Sequence, residues 1–236
     1  MENYITIDKI QKELDFVNLV ITTTNIDAKN EEDLFKTFKQ EEFNLINLTR
    51  NSQIHSSIVN KIDENNIGQR IEGDALITDI PQVPLLILTA DCVPVVIIDK
   101  VNKAIGVAHA GWRGTYDKIS KKTIEEMIKN YNSNPEDLVC VIGPSIGPCC
   151  YEVSKELVEK FNINLANHAG KFDIIKDNKY YLDLWKINEL TLKDCKVKEE
   201  NIINLQICTN CNHDKFYSYR KHNKTPKRIG TMIQIR

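Results

Sequence analysis

Five short segments carry most of the side chains that could do chemistry. Thr89-Ala-Asp91-Cys92-Val-Pro94 sets a carboxylate and a thiol between two apolar runs. A carboxylate buried there is costly unless it is paired or hydrogen-bonded. Gly106-Val-Ala-His109-Ala-Gly111-Trp112-Arg113-Gly114-Thr115 puts an imidazole at the end of a strand-like run, beside a glycine turn and a helix start near Thr115. Ligand sites of α/β folds form at such places, where helix N-terminal N–H groups attract anions. Arg113 adds a forked cation suited to phosphate or carboxylate. Gln53-Ile-His55, followed by Gly73-Asp-Ala-Leu-Ile-Thr78, offers a second imidazole. Ile142-Gly-Pro-Ser-Ile-Gly-Pro-Cys149-Cys150-Tyr-Glu-Val153 reads as strand, rigid turn and helix. A thiol at that helix N-terminus would be shifted toward thiolate, which suits a nucleophile, a ligand or a structural cysteine equally. Cys208-Thr-Asn-Cys211-Asn-His213 has zinc-like spacing, but a four-ligand structural site needs a second pair.

Ordinary packing competes at each place. Cys92 reads equally as a small core residue, His55 as a satisfied polar side chain, and Arg113 as half of a surface ion pair. Against that stands the donor inventory. His55, Cys92 and His109 together could hold one metal ion. Two imidazoles and a thiolate suit zinc, and three protein ligands leave a fourth position open for water or substrate. The three lie on separate segments, so spacing does not show that they meet. Cys208, Cys211 and His213 form the alternative trio.

These residues need a scaffold. Phe16–Thr23, Phe43–Leu48, Ser57–Ile62, Ala75–Thr78, Pro84–Thr89, Val93–Asp99 and Ala104–Ala108 read as short strands bounded by Gly, Pro or Asp. Glu31–Gln40 reads as a helix. Thr115–Asn130 has Ile119, Thr123, Ile124, Met127 and Ile128 at helical spacing. Leu138–Ile142 is expected as a strand, Cys150–Phe161 and Leu182–Cys195 as helices, and Ile202–Ile207 and Phe216–Tyr219 as strands. The expected fold class is α/β, with mixed sheets flanked by helices, and the length suits one large domain or two small ones.

Composition removes several alternatives. The chain has 236 residues, 42% hydrophobic and 27% charged, with a net charge of -2. That describes a soluble globular protein, not a basic nucleic-acid binder. The apolar stretch from Val83 to Ile98 is interrupted by Pro84, Asp91 and Pro94, so no membrane partner is expected. Met1–Ile10 lacks the apolar core of a secretion signal, and a cytoplasmic location is expected. Seven cysteines in such a compartment are expected as reduced thiols. Five histidines without a His-x-His pair cannot build a trinuclear copper cluster. The zinc nucleobase-deaminase signature, the P-loop and Gly-x-Ser-x-Gly are all absent. The basic run Lys215–Lys221 could stack single-stranded bases, but reads more simply as a sheet-edge strand.

Six motifs occur in fixed order: Gln53-Ile-His55, Gly73-Asp-Ala-Leu-Ile-Thr78, Thr89-Ala-Asp-Cys-Val-Pro94, His109-Ala-Gly-Trp-Arg-Gly114, Gly143-Pro-Ser-Ile-Gly-Pro-Cys-Cys-Tyr-Glu-Val153 and Phe216-Tyr-Ser-Tyr-Arg220. Together they resemble the bacterial YfiH-like family, long labelled laccase-domain or polyphenol oxidase and later described as purine nucleoside phosphorylase. The resemblance covers roughly residues 50–236, and the first 45 residues match less well. It implies a single-domain layered α/β sandwich of mixed sheets flanked by helices over residues 1–236, and zinc on His55, Cys92 and His109, with copper as the alternative. It implies purine nucleosides and phosphate as substrates, with phosphorolysis of adenosine, inosine, guanosine and methylthioadenosine, and adenosine deamination alongside. Within that reading Asp91, Arg113 and Cys150 are the expected catalytic residues, and Arg113 and Arg220 the expected phosphate holders. A monomer is expected. The rival readings are a copper-dependent phenol oxidase, a metal-free cysteine hydrolase using a thiol with His109, and a non-enzymatic binder using the basic C-terminal segment.

Overall fold

Val93–Asp99 is apolar at nearly every position because it is buried on both faces. Val93, Val95 and Ile97 pack toward helices, while Val96 and Ile98 pack toward a second sheet. This two-sided burial, typical of a central strand covered on each face, sets the architecture. The computed structural model describes residues 2–40 and 42–236; Met1, the first residue of the segment read for a secretion signal, and Glu41 lie outside them.

Strands and helices are numbered here in chain order. One six-stranded sheet runs β1 (Tyr4–Ile5), β2 (Val17–Thr22), β15 (Ile229–Ile235), β7 (Leu85–Thr89), β3 (Thr49–Ser52), β5 (Arg70–Glu72). The other runs β14 (Ile202–Asn204), β10 (Leu138–Ile142), β8 (Val93–Asp99), β9 (Ile105–Ala110), β6 (Ala75–Thr78), β4 (Val59–Lys61). Both mix parallel and antiparallel pairs. A small antiparallel sheet is formed by β11 (Glu152–Val153), β13 (Lys179–Leu182) and β12 (Asp173–Lys176). Six helices complete the described residues: α1 (Asp8–Glu13), α2 (Glu31–Thr37), α3 (Trp112–Tyr116), α4 (Ile119–Tyr131), α5 (Lys155–Asn164) and α6 (Leu184–Asp194).

The layers follow from the cores. Leu19, Ile21, Leu85, Ile87 and Ile233 of the first sheet meet Leu76, Val96, Ile98 and Val107 of the second. The outer face of the second sheet is covered by Ile124 and Met127 of α4, Phe161 of α5 and Ile187 of α6. The outer face of the first is covered by Leu34 of α2 together with Phe38. The expected mixed-sheet α/β sandwich is the fold observed, in one domain.

Several local expectations are corrected. Leu45–Asn47 is a 3-10 turn, so the strand expected over Phe43–Leu48 begins only at Thr49. The helix expected from Thr115 starts at Trp112 and breaks at Lys118, which adopts a left-handed φ of 58° before α4. Glu152–Val153 is a strand, and α5 starts after Ser154, whose side chain caps the Leu157 N–H. Cys149 and Cys150 therefore lie in a turn and not at a helix N-terminus, so no helix dipole acts on them. Phe216–Tyr219 and the basic run around it form turns held by side-chain bonds, not an edge strand. The sequence reading passed over β15, a central strand hidden behind the basic composition of residues 215–228.

Candidate metal centre and its cavity

Antiparallel pairing of β8 with β9 sets Val93 opposite Ala110 and Pro94 opposite His109. One step further, Cys92 faces Gly111. A β-carbon at Gly111 would stand 3.0 Å from Cys92 Sγ and 3.3 Å from His55 Cδ2, so only glycine leaves both side chains in place. Gly114 lets α3 close down: a β-carbon there would press on the carbonyls of His109 and Ser56 at 3.1 and 3.2 Å. Strand alternation turns His109 to the same face as Ile105 and Val107, into the gap between the sheets.

His55 arrives from a different element. The Gln53 side chain bridges Leu88, accepting from its N–H and donating to its carbonyl, both at 2.8 Å. This side-chain imitation of a strand pairing fixes the segment after β3 against β7. Beyond it His55 takes a left-handed φ of 60°. That unusual backbone is stabilised by Asp74. Its buried carboxylate accepts from the N–H groups of Ile54, His55 and Ser56 at 3.2, 3.1 and 2.6 Å, and from Ser56 Oγ at 2.7 Å. The three successive N–H groups wrap the anion.

The same carboxylate takes His109 Nδ1 at 2.8 Å. With Nδ1–H donating to Asp74, Nε2 of His109 is the nitrogen left for a metal or a proton. Burial raises the Asp74 carboxyl, but the bonds from His109 and Ser56 outweigh it and hold it at about 2. Burial likewise raises the Cys92 thiol, yet the two histidines bring it down to about 6. His109 is pushed down by burial and up more strongly by Cys92 and Asp74, reaching about 9. The ligand atoms of His55, Cys92 and His109 all lie within 4.8 Å of one another. The rings of His55 and His109 meet edge to face, with centroids 4.9 Å apart. A thiolate and two imidazoles, one oriented by a buried carboxylate, are a donor set that fits zinc.

The three donors sit at a cavity of about 900 Å³ between the ends of the two sheets. Among the described residues its wall carries Lys29, Arg70, Arg220, Lys224 and Arg228, against one acid, Asp91. Asp91 adopts a left-handed φ of 81°, and its carboxylate accepts from Thr209 Oγ1 and from the Arg220 N–H, both at 2.7 Å. Both oxygens thus brace the loop after β14. Tyr151 lines the cavity with Arg220 stacked over its ring at 5.3 Å; burial first, and Cys92 next, push its phenol up to about 12.

Other expected residues fall elsewhere. Arg113 is exposed, stacks on Trp112 at 4.3 Å and does not line the cavity. Cys150 Sγ lies 3.4 Å from Cys211 Sγ in a separate group of thiols, again off the cavity wall. Sequence reasoning quoted Asp74 within a motif but gave it no role. Its signal was a carboxylate directly ahead of the all-buried strand β6, which demands partners. It also missed Lys29 in the poorly matching N-terminal region, and Arg70.

Comparison with known proteins agrees with this architecture. The family model described as multi-copper polyphenol oxidoreductase laccase matches residues 11–236, further toward the N-terminus than the motifs reach. A purine nucleoside phosphorylase of Clostridium acetobutylicum is 35% identical over 216 residues, 89% of this chain and 85% of that protein. An adenosine deaminase from an unknown prokaryotic organism is 36% identical over 181 residues, 72% of this chain and 68% of that one. The crystal structure of the YfiH protein of Bacillus licheniformis superposes with a TM-score of 0.90 at 25% identity, covering 100% of this chain and 97% of that one. A chain that matches this family model from residue 11 to its last residue, and shares the YfiH fold throughout, belongs to the laccase-like YfiH family.

Proposed function

We propose that the protein is a zinc-dependent purine nucleoside phosphorylase that converts purine nucleoside and phosphate into free base and ribose 1-phosphate. The observation that carries this reading is the juxtaposition of an open three-donor centre with a cavity wall of five cations and one fully engaged acid. A wall of that charge favours an anionic co-substrate. A relative named as a purine nucleoside phosphorylase supports the same class.

His55, Cys92 and His109 would hold the zinc, which when bound supplies Lewis acidity. Arg220, with its neighbours Lys224 and Arg228, would bind phosphate. Phosphate oxygen then forms a bond to the ribose anomeric carbon while the glycosidic C–N bond breaks, its electron pair passing to the purine. Charge grows on the base, so a donor there lowers the barrier. Tyr151 keeps its proton at neutral pH and is the cavity's candidate donor. Asp74 holds His109 in the ligating tautomer. Asp91, with both oxygens committed, positions Arg220 rather than shuttling protons. Adenosine deamination is proposed as a second activity of the same centre, in line with the relative of that name.

The donor set also bears on the copper reading. Among the described residues no possible metal group contains more than two histidines, and two imidazoles with one thiolate do not make a multicopper cluster. A metal-free cysteine hydrolase has a specific observation behind it: the Cys92 thiol lies within 4.8 Å of a His109 ring nitrogen, and His109 bonds Asp74, an ordering of thiol, imidazole and carboxylate. His55 is the discriminating residue, since that ordering has no use for it.

Incubating inosine with and without phosphate separates these readings. Hypoxanthine that requires phosphate, appears with ribose 1-phosphate and is lost on chelation is the expected result. Release of free ribose without phosphate, or activity indifferent to chelator, would overturn the phosphorylase reading.

A further inference from the structure

The second group of thiols is assembled by backbone as deliberately as the first. Ser145 bridges Cys208 as a short parallel pair: the Ser145 N–H donates to Ile207 O at 3.1 Å and the Thr209 N–H to Ser145 O at 3.0 Å. This draws the turn after β10 onto the loop after β14. Cys149 and Cys150 come from the turn, Cys208 and Cys211 from the loop. The second pair that the Cys-x-x-Cys spacing lacked in the sequence is thus supplied from about 60 residues upstream, on the other side of the same contact.

The sulfurs are spaced for a shared ligand. Cys211 Sγ stands 3.6 Å from Cys149 Sγ and 3.4 Å from Cys150 Sγ, and all four sulfurs lie within 4.8 Å of one another. A tetrahedral tetrathiolate with Zn–S bonds of about 2.3 Å has sulfurs roughly 3.8 Å apart. Gly147 N–H donates to Cys208 Sγ at 3.3 Å, the kind of bond that orients and tempers a metal-bound thiolate. Arg220 spends its Nη1 on the carbonyls of Cys150 and Glu152 at 3.4 and 3.0 Å, which ties the cavity wall to the turn that bears Cys150. His213, the third member of the trio considered from the sequence, turns its Nδ1 to the Asn210 carbonyl at 3.2 Å instead.

We propose that Cys149, Cys150, Cys208 and Cys211 form a second, structural metal site, a closed tetrathiolate for one zinc ion. Binding replaces the thiol protons, which pass to solvent. The ion clamps the Gly143–Tyr151 turn to the loop bearing Thr209 and Arg220, and so fixes the cavity wall from behind. The proposal stands apart from the phosphorolysis reading and survives its failure.

The test is metal content of the full chain, purified under reducing conditions without chelator. About two zinc ions per chain are expected in the wild type, and about one in His109→Ala and in Cys149→Ser/Cys211→Ser. Cys149 and Cys211 are exposed, which spares the buried Cys208. Cobalt-substituted His109→Ala should keep the intense thiolate charge-transfer and visible bands of a tetrahedral tetrathiolate, which gives a reading even where the double variant folds poorly. A His109→Ala protein without bound zinc and without those cobalt bands would overturn the proposal. So would a freshly isolated chain lighter by about 2 Da with Cys211 linked to Cys149 or Cys150, which would make the group a redox pair.

Discussion

The two cysteine-bearing centres share Asp91 and little else. On one side Asp91 precedes Cys92 and abuts the three-donor centre; on the other its carboxylate and carbonyl hold Thr209, Arg220 and Ile146, next to the four thiols. The three-donor centre gathers its donors from three chain segments, holds both histidines through one buried carboxylate, and opens on a cavity. The four-thiol group draws on two loops and brings four donors together, so a tetrahedral ion held by all four would have no position left for a small molecule. On the two proposals, donor count and openness, rather than the presence of cysteine, separate a centre suited to react from one suited to hold a structural ion.

The sharpest way to break this contrast is His109→Ala. It should lower phosphorolysis by more than about 100-fold, beyond the usual cost of losing an outer partner, while leaving the tetrathiolate filled. Steady-state assay with parallel metal analysis reads both. Asp74→Asn comes next: it weakens the acceptor for three N–H groups and for His109, and should cost about 10–100-fold in metal affinity and kcat/KM. Competition with a chromogenic chelator measures the first. If Asp74→Asn emptied the tetrathiolate equally, the two centres would not be independent.

Arg220→Ala should raise the phosphate KM by about 10–150-fold with a smaller change in kcat, since a charge-assisted bond is worth about 1.5–3 kcal/mol. An unchanged phosphate KM would remove Arg220 from phosphate binding. Gly111→Ala should cost about 1–3 kcal/mol of stability through the crowding of Cys92 and His55, and lower metal content at that centre only. The smallest effect on turnover is expected from Cys149→Ser, which should leave kcat unchanged and lower Tm, at about 2–4 °C per kcal/mol lost.

What the sequence disclosed differs between the same two centres. Cys92 and His109 stand at strand ends that apolar patterning marks well, so their strands and their candidacy as metal ligands were legible. Asp74 was quoted and passed over because its partners, the N–H groups of residues 54–56, exist only once a left-handed His55 has formed. The thiols at 149, 150, 208 and 211 were each visible, but the Ser145–Cys208 bridge that joins them is a long-range backbone contact without a local pattern. The helix expected from Cys150 failed because β11 pairs with β13, a tertiary contact that overrides local propensity. Lys29 and Arg70 were unread because a surface cation carries no sign of the cavity it will line. β15, seven residues long like β8, was missed because Gly230, Thr231 and Gln234 interrupt its apolar pattern directly behind a basic run.

The most direct test of the contrast is zinc titration of stripped protein while phosphate-dependent hypoxanthine formation from inosine is followed, in wild type and His109→Ala. Turnover should return only with the equivalent that His109→Ala cannot bind. Full turnover in the stripped protein, or the same recovery in His109→Ala, would contradict the assignment of the open centre to the chemistry.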